Sequence, residues 1–240
     1  MNLVIDIGNT LVKVALFEGD TIFYKESFDK IKLYFKLKKI HLEHNIDQAI
    51  ISSVAYFDKN EINKIRKLFP LITLSHQTKI PFQNNYGSPK TLGVDRIALI
   101  ASAFKKYPNQ NVLVIDVGTC ITFDFIDKNG KYRGGSISLG IAMRYQALHK
   151  FTNNLPLLKQ EDTINLIGTT TEESIHNGVI NGVVTEIDGI IDKYKIEYKK
   201  LTSILTGGDT NFLAKRLKNG IFANPNFLLE GLNNILTYNK

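Results

Sequence analysis

Leu3-Val4-Ile5-Asp6-Ile7-Gly8-Asn9-Thr10 decides the fold, because an apolar, strand-forming run delivers a carboxylate, a glycine and two small polar side chains into one tight turn. The plan recurs at Val112-Leu113-Val114-Ile115-Asp116-Val117-Gly118-Thr119. Glycine permits close approach to backbone N–H groups, and a carboxylate can hold hydrated magnesium, so such a turn suits phosphate. One Asp-x-Gly would signify little. Two copies, each behind an apolar strand and ahead of a hairpin, could face each other across a cleft and hold a polyphosphate. Neither Gly-x-x-x-x-Gly-Lys-Ser nor Gly-x-Gly-x-x-Gly occurs, which excludes a P-loop and a dinucleotide fold.

Working outward, residues 11–17 and 21–28 alternate as strands around the Glu18-Gly19-Asp20 turn. Asp29 is expected to cap a helix whose apolar stripe is Ile31, Leu33, Phe35, Leu37 and Ile40. Residues 48–54 read as a buried strand, 59–69 as a helix closed by Pro70, and 71–74 as a strand. Residues 79–90, rich in Pro, Asn, Gly and Ser, read as a working loop that leads into Gly93-Val94-Asp95-Arg96 and a helix. The spacing from Asp6 to Gly19 nearly equals that from Asp116 to Gly130, and each half reaches a late apolar strand, at 49–53 and 203–206. Such spaced similarity marks an internal duplication. The expected fold is therefore α/β, with two domains of β-β-β-α-β topology, 1–110 and 111–240, and the active-site cleft between them. A long helix over 172–194 carries Gly178, Gly182 and Gly189, read as close helix contacts; helices over 210–218 and 228–236 complete the chain.

Three further stretches carry candidate chemistry. Asp95 at a helix start could merely complement the helix dipole; beside the fixed cation Arg96 it could also stay ionised and accept a hydroxyl proton. Gly134-Gly135-Ser136-Ile137-Ser138-Leu139-Gly140 could be a bend or shape a substrate pocket. Thr206-Gly207-Gly208-Asp209 would let an adenine or ribose lie against bare backbone. His41 and His44 read as solvated helix residues and Cys120 as a small core residue.

Composition narrows the setting. The 240 residues, 43% hydrophobic, suffice for a substantial core. A lone cysteine excludes an internal disulfide and any thiolate-rich zinc site, and fits a reduced, cytoplasmic location. The net charge of +7 is spread over scattered lysines, with no nucleic-acid module, and no apolar run approaches a membrane span. Neither a membrane nor a nucleic acid is expected as a partner.

The motifs Asp6-Ile7-Gly8-Asn9-Thr10 with Lys13, Gly93-Val94-Asp95-Arg96, Asp116-Val117-Gly118-Thr119, Gly134-Gly135-Ser136-Ile137 and Thr206-Gly207-Gly208 make the chain resemble a type III pantothenate kinase. That family belongs to the actin, heat-shock and sugar-kinase ATPase superfamily, so the resemblance implies two duplicated ribonuclease-H-like domains. It implies ATP-dependent phosphorylation of pantothenate, the first step of coenzyme A synthesis. By resemblance Asp95 takes the position of the catalytic base. Tyr86, Gly93, Val94, Asp95, Arg96 and Thr171 would contact pantothenate, Thr171 at the interface of a homodimer. Asp6, Ile7, Gly8, Asn9, Thr10, Leu11, Val12, Lys13, Thr119, Gly207 and Gly208 would contact ATP. Asp6 would serve magnesium, and Asp116 the monovalent cation, potassium or ammonium. Leu139 departs from the family, which usually has proline there. Proteins resembling this family also include transcriptional accessory factors, and the superfamily includes kinases of other small alcohols, so both remain alternatives.

Overall fold

The computed structural model describes residues 1–53, 58–162 and 165–240. They fall into two compact units: residues 1–108 with 130–132 and 226–240, and residues 109–129 with 133–225.

In the first unit β1 (Asn2–Ile7), β2 (Val12–Glu18), β3 (Thr21–Phe28), β4 (Gln48–Ser53) and β5 (Leu71–Thr73) form a sheet of order β3-β2-β1-β4-β5. β1 runs antiparallel to β2 and parallel to β4. β1 is buried throughout, which is why its sequence shows a continuous apolar run rather than alternation. The end of the expected strand at Val54 lies outside the described residues.

The helix after β3 begins later and faces differently than its sequence suggested. A 3-10 turn (Lys30–Lys32) precedes α1 (Leu33–Glu43), and Asp29 makes no side-chain cap. Leu33, Leu37 and Ile40 enter the core, but Ile31 and Phe35 are exposed. The spacing of 3.6 residues per turn puts Phe35 on the side opposite Leu37 and Ile40, so the five apolar residues do not form one stripe. Next, α2 (Lys59–Arg66) is capped by Asp58, which accepts from the Asn60 N–H.

The segment expected as a loop holds a two-residue strand, β6 (Gln83–Asn84), and a 3-10 turn (Pro89–Thr91) ahead of α3 (Val94–Lys106).

In the second unit β7 (Asn111–Val117), β8 (Cys120–Ile126), β9 (Lys131–Leu139), β10 (Leu201–Thr206) and β11 (Phe222–Ala223) take the order β11-β10-β7-β8-β9. This repeats the first sheet strand for strand, and β11, which sequence reading missed, is the counterpart of β5. The first two residues of β9 belong to the first unit, where they pair in parallel with β6.

α4 (Ile141–Lys150) and α5 (Thr171–Glu197) follow β9; Ile175, Val179, Val183, Ile187 and Ile191 of α5 enter the core at helical spacing. The glycines of α5 do not mark close helix contacts. A Cβ on Gly178 or Gly189 would meet nothing within 4 Å among the described residues, and one on Gly182 would only touch Arg144 at 3.8 Å. α6 (Thr210–Ala214) stops short of the expected 218.

The final helix, α7 (Phe227–Tyr238), belongs to the first unit rather than to the half that precedes it in sequence. Two observations explain this. Gly231 lies so close to α3 that a Cβ would come within 1.8 Å of the Ala98 carbonyl oxygen. Asn233, 1% exposed, accepts from the Asn2 amide at 2.7 Å and donates to the Gly19 carbonyl at 2.9 Å.

Candidate functional site

Asp6 sits one residue from the end of β1, with Lys13 of β2 as its cross-strand partner on one side and Ser52 of β4 on the other. Asp6 is 7% exposed, and the Ser52 hydroxyl donates to its Oδ1 at 3.4 Å. Burial pushes the Asp6 carboxyl up to about 6; Lys13 and the Ser52 bond oppose this, while the negative field of Asp95 adds to it. The turn beyond closes with the Gly8 N–H donating to the Leu11 carbonyl at 3.1 Å, which leaves Asn9, Thr10 and Leu11 exposed. Ile7 and Val12 send their side chains into the core, so only their backbone can meet a ligand.

Asp95 occupies the first turn of α3, behind the N-cap Gly93, and its Oδ1 accepts from the Arg96 N–H at 2.8 Å. A Cβ on Gly93 would come within 2.4 Å of that oxygen, so glycine is what lets the carboxylate fold back over the helix start. Val94 is half-buried beside it. Arg96 is 4% exposed, its guanidinium 5.6 Å from the centre of the Tyr86 ring. Tyr86 stacks on the buried Tyr132, with centroids 6.0 Å apart. Its loop is pinned by bonds from Gln83 N–H to the Gly130 carbonyl and from Asn85 N–H to the Tyr132 carbonyl. The first unit thus gathers Tyr86, Gly93, Val94, Asp95 and Arg96, with Asp95 near enough to bias Asp6.

The second unit repeats the backbone plan with different side chains. Asp116 at the end of β7 has Thr122 of β8 as its cross-strand partner and Thr206 of β10 on the other side. The register leaves this turn one residue shorter than the first, closed by the Gly118 N–H donating to the Cys120 carbonyl at 3.0 Å, with Thr119 exposed. Gly207 has φ +101°, and a Cβ there would strike Asp116 Oδ1 at 2.4 Å and the Val117 carbonyl at 2.5 Å. Gly208 beside it is exposed backbone. Cys120 is half-buried, its Sγ 3.9 Å from Met143 Sδ.

Thr171 is the first residue of α5, just past a reciprocal cap: Thr170 Oγ1 accepts from the Glu173 N–H, and Glu173 accepts from the Thr169 N–H and hydroxyl. It borders a cavity of about 710 Å³ together with Leu139, Arg144, Ile175 and Val179.

Sequence reading missed Ser52, Thr122 and Tyr132, and named Thr206 for its turn without placing it beside Asp116. The places of Ser52, Thr122 and Thr206 are legible only from strand register, and that of Tyr132 only from the parallel pairing of β6 with β9. Among the described residues no group of three His, Cys, Asp or Glu gathers as a metal cage, and no helix is long and apolar enough to cross a membrane.

Comparison with known proteins agrees over the whole chain. The type III pantothenate kinase family model matches residues 2–193. A type III pantothenate kinase from Flavobacterium johnsoniae is 47% identical over 99% of this chain and 98% of its own length. One from Bacteroides fragilis is 41% identical over 100% and 99%. Among solved structures, a Campylobacter jejuni protein assigned to the Baf family of transcriptional activators superposes with a TM-score of 0.66 at 21% identity, covering 99% of this chain and 98% of that one. A glucokinase from an Antarctic psychrotroph gives 0.54 at 14%, with 99% and 98% covered. At these identities the two structures establish the fold alone, an actin-like ATPase and sugar-kinase fold.

Proposed function

Since this chain belongs to the type III pantothenate kinase family, we propose that its reaction is divided between the end-of-strand turns and the start of α3. The enzyme phosphorylates pantothenate with ATP, giving 4′-phosphopantothenate at the first step of coenzyme A synthesis.

In the proposed assignment Asp6, Gly8 to Thr10 and Lys13 receive the phosphates of ATP, the backbone of Ile7, Leu11 and Val12 shapes that turn, and Thr119, Gly207 and Gly208 receive the rest of the nucleotide. The Asp6 carboxylate offers the hard oxygen ligands that magnesium prefers, and Lys13 across the ladder would face the phosphates rather than the ion. Asp6 would hold the ion, which when bound neutralises phosphate charge. Asp116, with a threonine where Asp6 has a lysine, would hold the monovalent cation.

Tyr86, Gly93, Val94, Arg96 and Thr171 would bind pantothenate. Arg96 is buried with its guanidinium over the Tyr86 ring, and that packing would let it orient the substrate. Asp95 accepts the proton of the attacking primary hydroxyl as the bond to phosphorus forms in line with the departing ADP oxygen. Lys13 offsets the charge on the transferring group.

The observation that carries this reading is the placement of Asp95: one carboxylate, held by a helix start, adjacent to Arg96 and close enough to raise the pKa of Asp6. A homodimer is part of the proposal, supported by the exposed apolar side chains Ile137, Phe151, Leu157, Leu166 and Ile167 of the second unit. A cytoplasmic site of action rests on the lone cysteine. The test is ADP release measured with pantothenate and with a panel of sugars and polyols. Release dependent on pantothenate alone is expected; equal turnover of a polyol would remove the substrate assignment.

A further inference from the structure

We propose that Arg144 is a positioning residue for the nucleotide turn at Gly118-Thr119, acting through the corner between β9 and α4. The inference rests on the assignment of that turn to ATP.

The corner and the turn meet backbone to backbone. The Gly140 N–H donates to the Thr119 carbonyl at 3.1 Å, and a Cβ on Gly140 would lie 2.2 Å from the Gly118 carbonyl oxygen and 2.3 Å from that of Thr119. With no side chain between them to absorb a shift, a displaced corner displaces the turn.

Arg144, one helical turn further on, fixes the corner. Its Nε donates to the Leu139 carbonyl at 2.9 Å and its Nη2 to the Ser138 hydroxyl at 3.1 Å; the same guanidinium pairs with Glu186 of α5. One planar group therefore ties the last two residues of β9 to α4 and α5. Leu139 lacks the fixed φ that a proline would have, and the Arg144 bond to its carbonyl adds a restraint at the end of β9. The Arg144 side chain is 20% exposed and that of Glu186 25%, which leaves the pair only partly screened by solvent. A lysine would keep the charge but offer no fork.

The experiment is isothermal titration of the full chain with a non-hydrolysable ATP analogue and magnesium, alongside steady-state kinetics and thermal melting. Arg144→Met and Arg144→Lys should each weaken nucleotide binding by about tenfold and raise the KM for ATP equally, with kcat changed by less than about threefold, the scale of one lost charge-assisted hydrogen bond that positions a site. Arg144→Lys keeps the Glu186 partner and guards against a fold too weakened to measure. Wild-type nucleotide affinity in Arg144→Lys, whatever its melting temperature, overturns the inference. Thr119→Trp separates the two assignments: if it binds nucleotide normally, the turn is not the nucleotide site and both fall; if it abolishes binding while the Arg144 variants bind normally, only the role of Arg144 falls.

Discussion

Lys13 stands directly across the β1–β2 ladder from Asp6, while the matching carboxylate of the second unit, Asp116, stands across from Thr122. The duplication has kept the backbone and divided the charge. Lys13→Met should therefore lower kcat/KM for ATP by about 10²-fold, since a fixed cation aimed at developing phosphate charge is among the strongest single contributions to such a transition state. Steady-state kinetics at saturating pantothenate checks this, and a change below threefold would take Lys13 off the phosphates.

Asp6 predicts a pH-dependent stability. Its carboxyl is raised from 3.8 to about 6 in the folded chain, so folding takes up a proton between those values. The favourable contribution is complete below pH about 4 and is lost as pH rises through about 6. Asp6→Asn removes that loss: without magnesium and nucleotide it should exceed wild type by roughly 2–3 kcal/mol at pH 7 and show little gain at pH 4. Its magnesium-dependent turnover should be abolished. Urea denaturation across pH 4–8 measures the gap, and a gap independent of pH would contradict the burial argument.

At α3, Asp95→Asn should preserve the circular dichroism spectrum and nucleotide binding while kcat falls by about 10²-fold or more. Gly93→Ala should lower kcat by a different route and less severely, since the new methyl would come within 2.4 Å of Asp95 Oδ1 and push that carboxylate aside. Near-normal kcat in Asp95→Asn would remove Asp95 from the role of base.

Two glycine-to-alanine changes should move stability in opposite directions. Gly231→Ala drives a methyl into the Ala98 carbonyl and should cost about 2–4 kcal/mol. Gly189→Ala, in open space on α5, should stabilise by about 0.5–1 kcal/mol through helix propensity. Thermal melts decide both; a destabilising Gly189→Ala would mean that this face of α5 is occupied.

The duplicated sheets were legible because β1 and β7 are buried on both sides and announce themselves as apolar runs that end in Asp-x-Gly. Within the first unit, Gly93 to Arg96 could be picked out as candidates because their motif is local: Asp95 and Arg96 share one helix turn. Ser52 and Thr122 could not be, and Thr206 was noted only for its turn, since nothing in Ile-Ile-Ser-Ser or Cys-Ile-Thr says which residue will stand beside a carboxylate; register is a tertiary fact. The same limit misread α1, whose apolar residues fit one stripe by composition while the helix turn sends Phe35 away from the core. It also assigned α7 to the nearer half of the sequence, when Gly231 and Asn233 commit it to the other unit.

That commitment of α7 has a consequence for how the protein is made. The first unit includes residues 1–108, but the helix that covers α3 and holds Asn2 emerges from the ribosome only after every strand of the second unit. The half that is translated first is completed last. During synthesis the apolar face of α3 waits uncovered while its neighbour folds, so premature termination just before residue 226 would spoil the early half of the chain and leave the late half whole.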